Sequence, residues 1–107
     1  ANPSSMKLAI ENFARLAAPR KVLMLGAMAE LGQESLDEHQ QIIDLIASFS
    51  WSQVVLVGGD FLKLKHPWIS FTHSTEARQW YLDQHFEQTH ILIKGSRSMK
   101  MEKILEA

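Results

Sequence analysis

Apolar residues follow two patterns along this chain, and the two predict different elements. Met6, Ala9, Ile10, Phe13, Leu16 and Ala17 recur at helical spacing. Asn2 stands where an N-cap belongs and Pro3 at the first helical position, and Pro19 should stop the helix. Residues 22–26 and 54–59 are instead short apolar runs closing on glycine, as expected of strands buried on both faces, and residues 91–93 are a short apolar run of strand character. Between the first two runs, residues 27–34 read as a loop pivoting on Gly32. Ser35 with Glu38 then makes a capping box for a helix burying His39, Ile42, Ile43, Ile46 and Phe49. Residues 60–65 suggest a short helix ended by Pro67, and residues 68–71 a short strand. Thr72 or Ser74 should cap a helix containing Ala77, Trp80 and Tyr81. The last element is a helix carrying Met99, Met101, Ile104 and Leu105.

Buried strands alternating with amphipathic helices predict an α/β fold, a Rossmann-like, mostly parallel sheet with helices on both faces. Three strands close on glycine, at Gly26, Gly58–Gly59 and Gly95. Ligands of such sheets bind outside the carboxyl ends of the strands. The loops at 26–32, 58–60 and 94–98 should therefore gather there, joined by Asn2 if the first helix starts at that edge. The last loop is chemically the richest. Lys94, Ser96, Arg97 and Ser98 flank a glycine between strand and helix, where free N–H groups and two cations suit an anion. The plain alternative is that one of the serines is only a helix cap.

Composition narrows the function. The 107 residues suffice for one domain with its own core. A net charge of −1 gives no basic field for nucleic acid or an anionic membrane, and no apolar run reaches membrane-spanning length. The absence of cysteine excludes disulfides and thiolate metal sites. No GxGxxG follows a strand and no GxxxxGK[ST] occurs, so neither a dinucleotide nor a nucleoside triphosphate has its usual loop. The five histidines lack metal-ligand spacing, and His39 falls on the apolar side of its helix as a hydrogen-bonded core residue. Asp37 and Glu38 suit a helix's first turn. Glu30, in a loop at a strand's carboxyl end, is a candidate for loop shaping or ligand contact in equal measure. Met24, Met28, Met99 and Met101 read as packing, with Met28 also able to line a pocket wall.

Three stretches, Asn2-Pro3-Ser4-Ser5-Met6, Leu25-Gly26-Ala27-Met28-Ala29-Glu30-Leu31-Gly32 and Lys94-Gly95-Ser96-Arg97-Ser98-Met99-Lys100-Met101-Glu102, together resemble the C-terminal domain of Mur ligases. The similarity is greatest to the branch that adds D-alanyl-D-alanine. The second stretch departs from the pattern at Ala27, where an acidic residue is usual. The resemblance implies a cytoplasmic, ATP-dependent amide-bond ligase of peptidoglycan synthesis. ATP phosphorylates the carboxylate of UDP-N-acetylmuramoyl-tripeptide, and the amine of D-alanyl-D-alanine attacks the acyl phosphate. ATP and Mg2+ would be held mainly by a central domain of the same chain, so residues 1–107 form a single C-terminal domain of a longer ligase, inactive alone. The resemblance places no catalytic residue and no metal ligand here. It points to substrate contact by Asn2, Lys94, Ser96 and Arg97, then by Met28, Glu30 and Ser98. The competing expectation is a free-standing, flavodoxin-like module binding a small anion.

Overall fold

In the computed structural model, which describes residues 2–106, the strand β1 (Lys21–Gly26) organises the rest. It is buried from Val22 onward. Its alternate side chains feed two separate cores: Leu23 and Leu25 face one, Val22 and Met24 the other. β2 (Gln53–Val57) repeats the division, with Val54 and Leu56 on the first face and Val55 and Val57 on the second. β3 (Ile69–Phe71) and β4 (His90–Lys94) flank this pair in the order β3-β2-β1-β4. Every pairing is parallel, so the sheet is wholly rather than mostly parallel.

The first face is covered by α1 (Pro3–Arg15) and α2 (Ser35–Ala47), which bury Met6, Ile10, Ile42, Ile43 and Ile46, with Phe61 beside them. Each such side chain contributes about 1.5–3 kcal/mol by leaving water. The second face is covered by α3 (Ser74–Gln84) and a 3₁₀ turn, Met101–Leu105, through Ala77, Met101 and Ile104. Helices thus lie on both sides of the sheet, as the alternation requires.

Asn2 caps α1: its Oδ1 accepts from the Ser5 N–H at 2.9 Å, and the Ser5 hydroxyl accepts from the Asn2 N–H at 3.2 Å. At the other end Lys21 Nζ donates to the carbonyls of Ala14 (2.7 Å) and Leu16 (3.0 Å). The C-terminus of α1 therefore sits at the start of β1, and Asn2 lies toward the carboxyl edge of the sheet. The helix ends at Arg15, before Pro19, because its last carbonyls turn to this lysine.

Four local expectations are corrected. The Ser35–Glu38 capping box does not form, because the 3₁₀ turn Gly32–Glu34 runs straight into α2 and makes Ser35 helical from the outset. Phe49 lies beyond the end of α2, 39% exposed, with its ring edge-on to Trp51. α3 is capped at His73 rather than at Thr72 or Ser74, and the Glu76 carboxylate accepts from the Thr72 and His73 N–H groups at 3.2 and 3.0 Å. The final helix is two 3₁₀ turns, Arg97–Met99 and Met101–Leu105. Lys100 separates them at φ 51°, a left-handed backbone that no continuous helix passes through.

Candidate functional site

Three loops meet at the carboxyl edge of the sheet and are stitched together by their backbones. The Ala27 N–H donates to the Val57 carbonyl at 2.9 Å, the Gly58 N–H to Phe71 at 2.8 Å, and the Ser96 N–H to Ala27 at 3.3 Å. Glycine at two positions lets them come this close. A Cβ on Gly95 would stand 2.9 Å from Gly26 Cα, backbone against backbone. Gly58 has φ +77° and would drive a Cβ into Met99.

The turn Ser96–Arg97–Ser98 is a ridge between two clefts. On one side Ser96, Arg97 and Ser98 join Ala29 and Glu30 around about 460 Å³. On the other, Lys94, Gly95, Ser96 and Arg97 join Met101 and Glu102 around about 370 Å³. Ser96 is buried, and its Oγ lies 2.9 Å from that of Ser98. Arg97 is exposed, and neither it nor Lys94 forms an ion pair among the described residues. Five of the seven expected contact residues are therefore brought together: Lys94, Ser96, Arg97, Ser98 and Glu30. Asn2 and Met28 line neither cleft. Asn2 commits its side-chain oxygen to the cap of α1, and the Met28 side chain is buried in the first core.

The helix-dipole component of the expected anion site is absent. The turn that follows Ser96 is three residues long, and the Met99 and Lys100 N–H groups are consumed within it at 3.1 Å each. What remains is the two cations and the serines.

A third cleft, of about 480 Å³, is not visible in any single stretch of sequence. Gly59, Thr72, His73, Ser74, Thr75, Ser98, Met99, Lys100 and Lys103 line it. Two lysines, four hydroxyls and the first turn of α3 face this space, and no carboxylate is among its lining residues. A carboxylate-sized or phosphate-sized anion suits such a lining. The only advance signal was the polar run 72–75, which looks like an ordinary cap.

Two titrating groups flank these loops. The Ser35 hydroxyl, and after it Lys63 at 3.2 Å, hold the Asp60 carboxyl below its ordinary value against the opposing effect of burial. Burial pushes His66 below the ordinary imidazole value. Its Nδ1 accepts from the Trp68 N–H at 3.1 Å.

The family profile described as the glutamate ligase domain of Mur ligases matches residues 1–97. The chain belongs to the Mur ligase family. This Mur ligase chain is 35% identical over 115 residues to the UDP-N-acetylmuramoyl-tripeptide–D-alanyl-D-alanine ligase of Rickettsia prowazekii, with 99% of the chain covered. Against the enzyme of that name from Treponema pallidum it is 30% identical over 113 residues, covering 97% of the chain. It spans 25% of the length of each of these relatives. A crystal structure of MurF from Acinetobacter baumannii superposes with a TM-score of 0.75 at 28% identity, covering 98% of this chain and 25% of that one. MurF from Thermotoga maritima in complex with ADP gives a TM-score of 0.80 at 22% identity over 98% of this chain and 25% of that one, a likeness of fold. These matches favour the ligase reading over an unrelated anion-binding module. Among the described residues no three His, Asp or Glu side chains converge to hold a metal ion, and no helix is long and apolar enough to cross a membrane.

Proposed function

We propose that this chain is the C-terminal, substrate-binding domain of a longer cytoplasmic ligase that adds D-alanyl-D-alanine to UDP-N-acetylmuramoyl-tripeptide. The reaction uses ATP to convert the tripeptide's terminal carboxylate to an acyl phosphate, with release of ADP. The dipeptide amine attacks that carbonyl, gives up a proton, and expels phosphate. The nucleotide, its Mg2+ and the UDP-sugar belong to the rest of the protein.

The observation that carries this reading is the pairing of the family match with three adjoining clefts around one turn, two of them cationic. D-alanyl-D-alanine has a carboxylate at one end and the attacking amine at the other. The Lys100–Lys103 cleft and the Lys94–Arg97 cleft each offer the carboxylate two cations, whereas in the third cleft Arg97 stands opposite Glu30. Ser96, Ser98 and Glu30 supply acceptors for an amine arriving from the other side of the ridge. Asn2 and Met28 support the edge from α1 and the core rather than lining the clefts. Nothing here performs the bond-making step alone; the domain positions the nucleophile.

The test is phosphate release by the full-length protein with the UDP-linked tripeptide and ATP, supplied with D-alanyl-D-alanine, with single amino acids, or with no acceptor. Release that requires the dipeptide is expected. Equal release with any acceptor, or none at all from folded protein, would refute the assignment.

A further inference from the structure

We infer that His39 is a positioning residue for the substrate-binding edge, joining the loop after β1 to the loop after β2 from inside the core. The inference rests on the ligase reading for its kinetic consequence but not for its geometry. His39 is fully buried in α2. A histidine needed only to fill this space would satisfy its ring nitrogens within its own helix. Instead Nε2 accepts the Met28 N–H at 2.9 Å. Nδ1 must then carry the hydrogen, which it donates to the Ser35 carbonyl at 2.7 Å.

The Met28 amide is where the loop needs holding. Ala27, just before it, accepts from the Ser96 N–H at 3.3 Å, so Ala27 sets the height of the Ser96–Ser98 ridge. Two residues later Glu30 adopts φ 61°, a conformation a non-glycine residue keeps only when its surroundings impose it. The ring also reaches the β2 loop. Phe61 packs edge-on against it, centroids 4.7 Å apart, and the Ser35 hydroxyl lies 3.3 Å from Nδ1. One side chain therefore touches two of the loops that border the clefts, through the Met28 amide after β1 and the Phe61 ring after β2.

The test compares His39→Gln, His39→Asn and His39→Leu in the full-length ligase and in the 107-residue chain. Glutamine places an acceptor near the Nε2 position, whereas asparagine is too short and leucine has none. His39→Leu and His39→Asn should raise the KM for D-alanyl-D-alanine about tenfold or more while the KM for ATP stays within about twofold, and His39→Gln should recover most of the loss. If leucine does not fold, the Asn–Gln pair decides. Equal KM values in all folded variants, with only the melting temperature lowered, would make His39 a core residue and nothing more. Amide exchange at Met28 in the 107-residue chain separates this inference from the ligase reading. It should quicken about tenfold or more in His39→Asn but not in His39→Gln. Unchanged exchange overturns the inference even in an active ligase, and a ligase inactive as wild type leaves the exchange result to stand alone.

Discussion

α1 and α2, of 13 residues each, cover the first face of the sheet, while α3, of 11 residues, and a five-residue 3₁₀ turn cover the second. The contrast bears on function. Regular helices satisfy their own backbone groups and leave a ligand little to bind. On the second face the chain breaks at Lys100 and turns twice, so hydroxyls and lysines stand beside the strand ends. On the proposed reading the first face supplies rigidity and the second supplies the groups that bind, with His39 linking the two.

Ile10 and Ile104, both fully buried on opposite faces, give the largest test of that division. Ile10→Ala should cost about 4 kcal/mol and Ile104→Ala about 2, because the short turn can collapse into the space while packed helices cannot. Urea unfolding measures both, and equal losses would mean that the faces are equally rigid. Gly95→Ala should cost about 1–3 kcal/mol by pushing the ends of β1 and β4 apart. It should also weaken dipeptide binding, which the same unfolding curves and a KM measurement would show together.

Removing charge should act on function alone. Lys100→Ala with Lys103→Ala, and separately Arg97→Ala, should raise the KM for D-alanyl-D-alanine about tenfold, with stability within about 0.5 kcal/mol of wild type. Whichever replacement has the larger effect identifies the cleft that takes the carboxylate. An unchanged KM for Arg97→Ala would remove Arg97 from the pocket.

The smallest expected effects are on pH dependence. His66 is depressed in the folded state, so folding disfavours its protonation. Stability is complete above the ordinary imidazole pKa of about 6.5 and declines as pH falls from there toward the folded value. His66→Asn should flatten that decline in thermal melts. Asp60 has the opposite origin and a lower window: its favourable contribution persists above the ordinary carboxyl value of 3.8 and is lost as pH falls through the depressed folded value. Asp60→Asn should lower stability slightly above that window and remove the acid-side decline in thermal melts.

Much of this was legible in one dimension. Strands buried on both faces must be apolar at every position, so residues 22–26 and 54–57 stand out without knowledge of their neighbours, while residues 91–93 read as a strand but lie half-buried at the sheet's edge. Asn2-Pro3 is a local signal, because a cap depends on atoms three residues away. His39 as a satisfied core residue follows from its place on an apolar helix face. Glycines closing three strands indicated the edge at which the three loops meet.

The errors came where local pattern and tertiary demand diverge. Met99, Met101, Ile104 and Leu105 fit a helix, yet Met99 must pack over Gly58 while Met101 and Ile104 enter the second core, and only a left-handed Lys100 allows both. Ser35 with Glu38 has capping-box spacing, but the preceding turn already supplies helical backbone. The amino-acid order by itself determined the strands, the parallel α/β class and the edge where the glycine loops gather, because burial on two faces and glycine at strand ends are properties of contiguous residues. Tertiary structure alone decided which side chains share a cleft. Residues 59, 72–75, 98–100 and 103 meet only because parallel pairing brings the ends of β2, β3 and β4 to one edge, and no pattern along the chain encodes that distance.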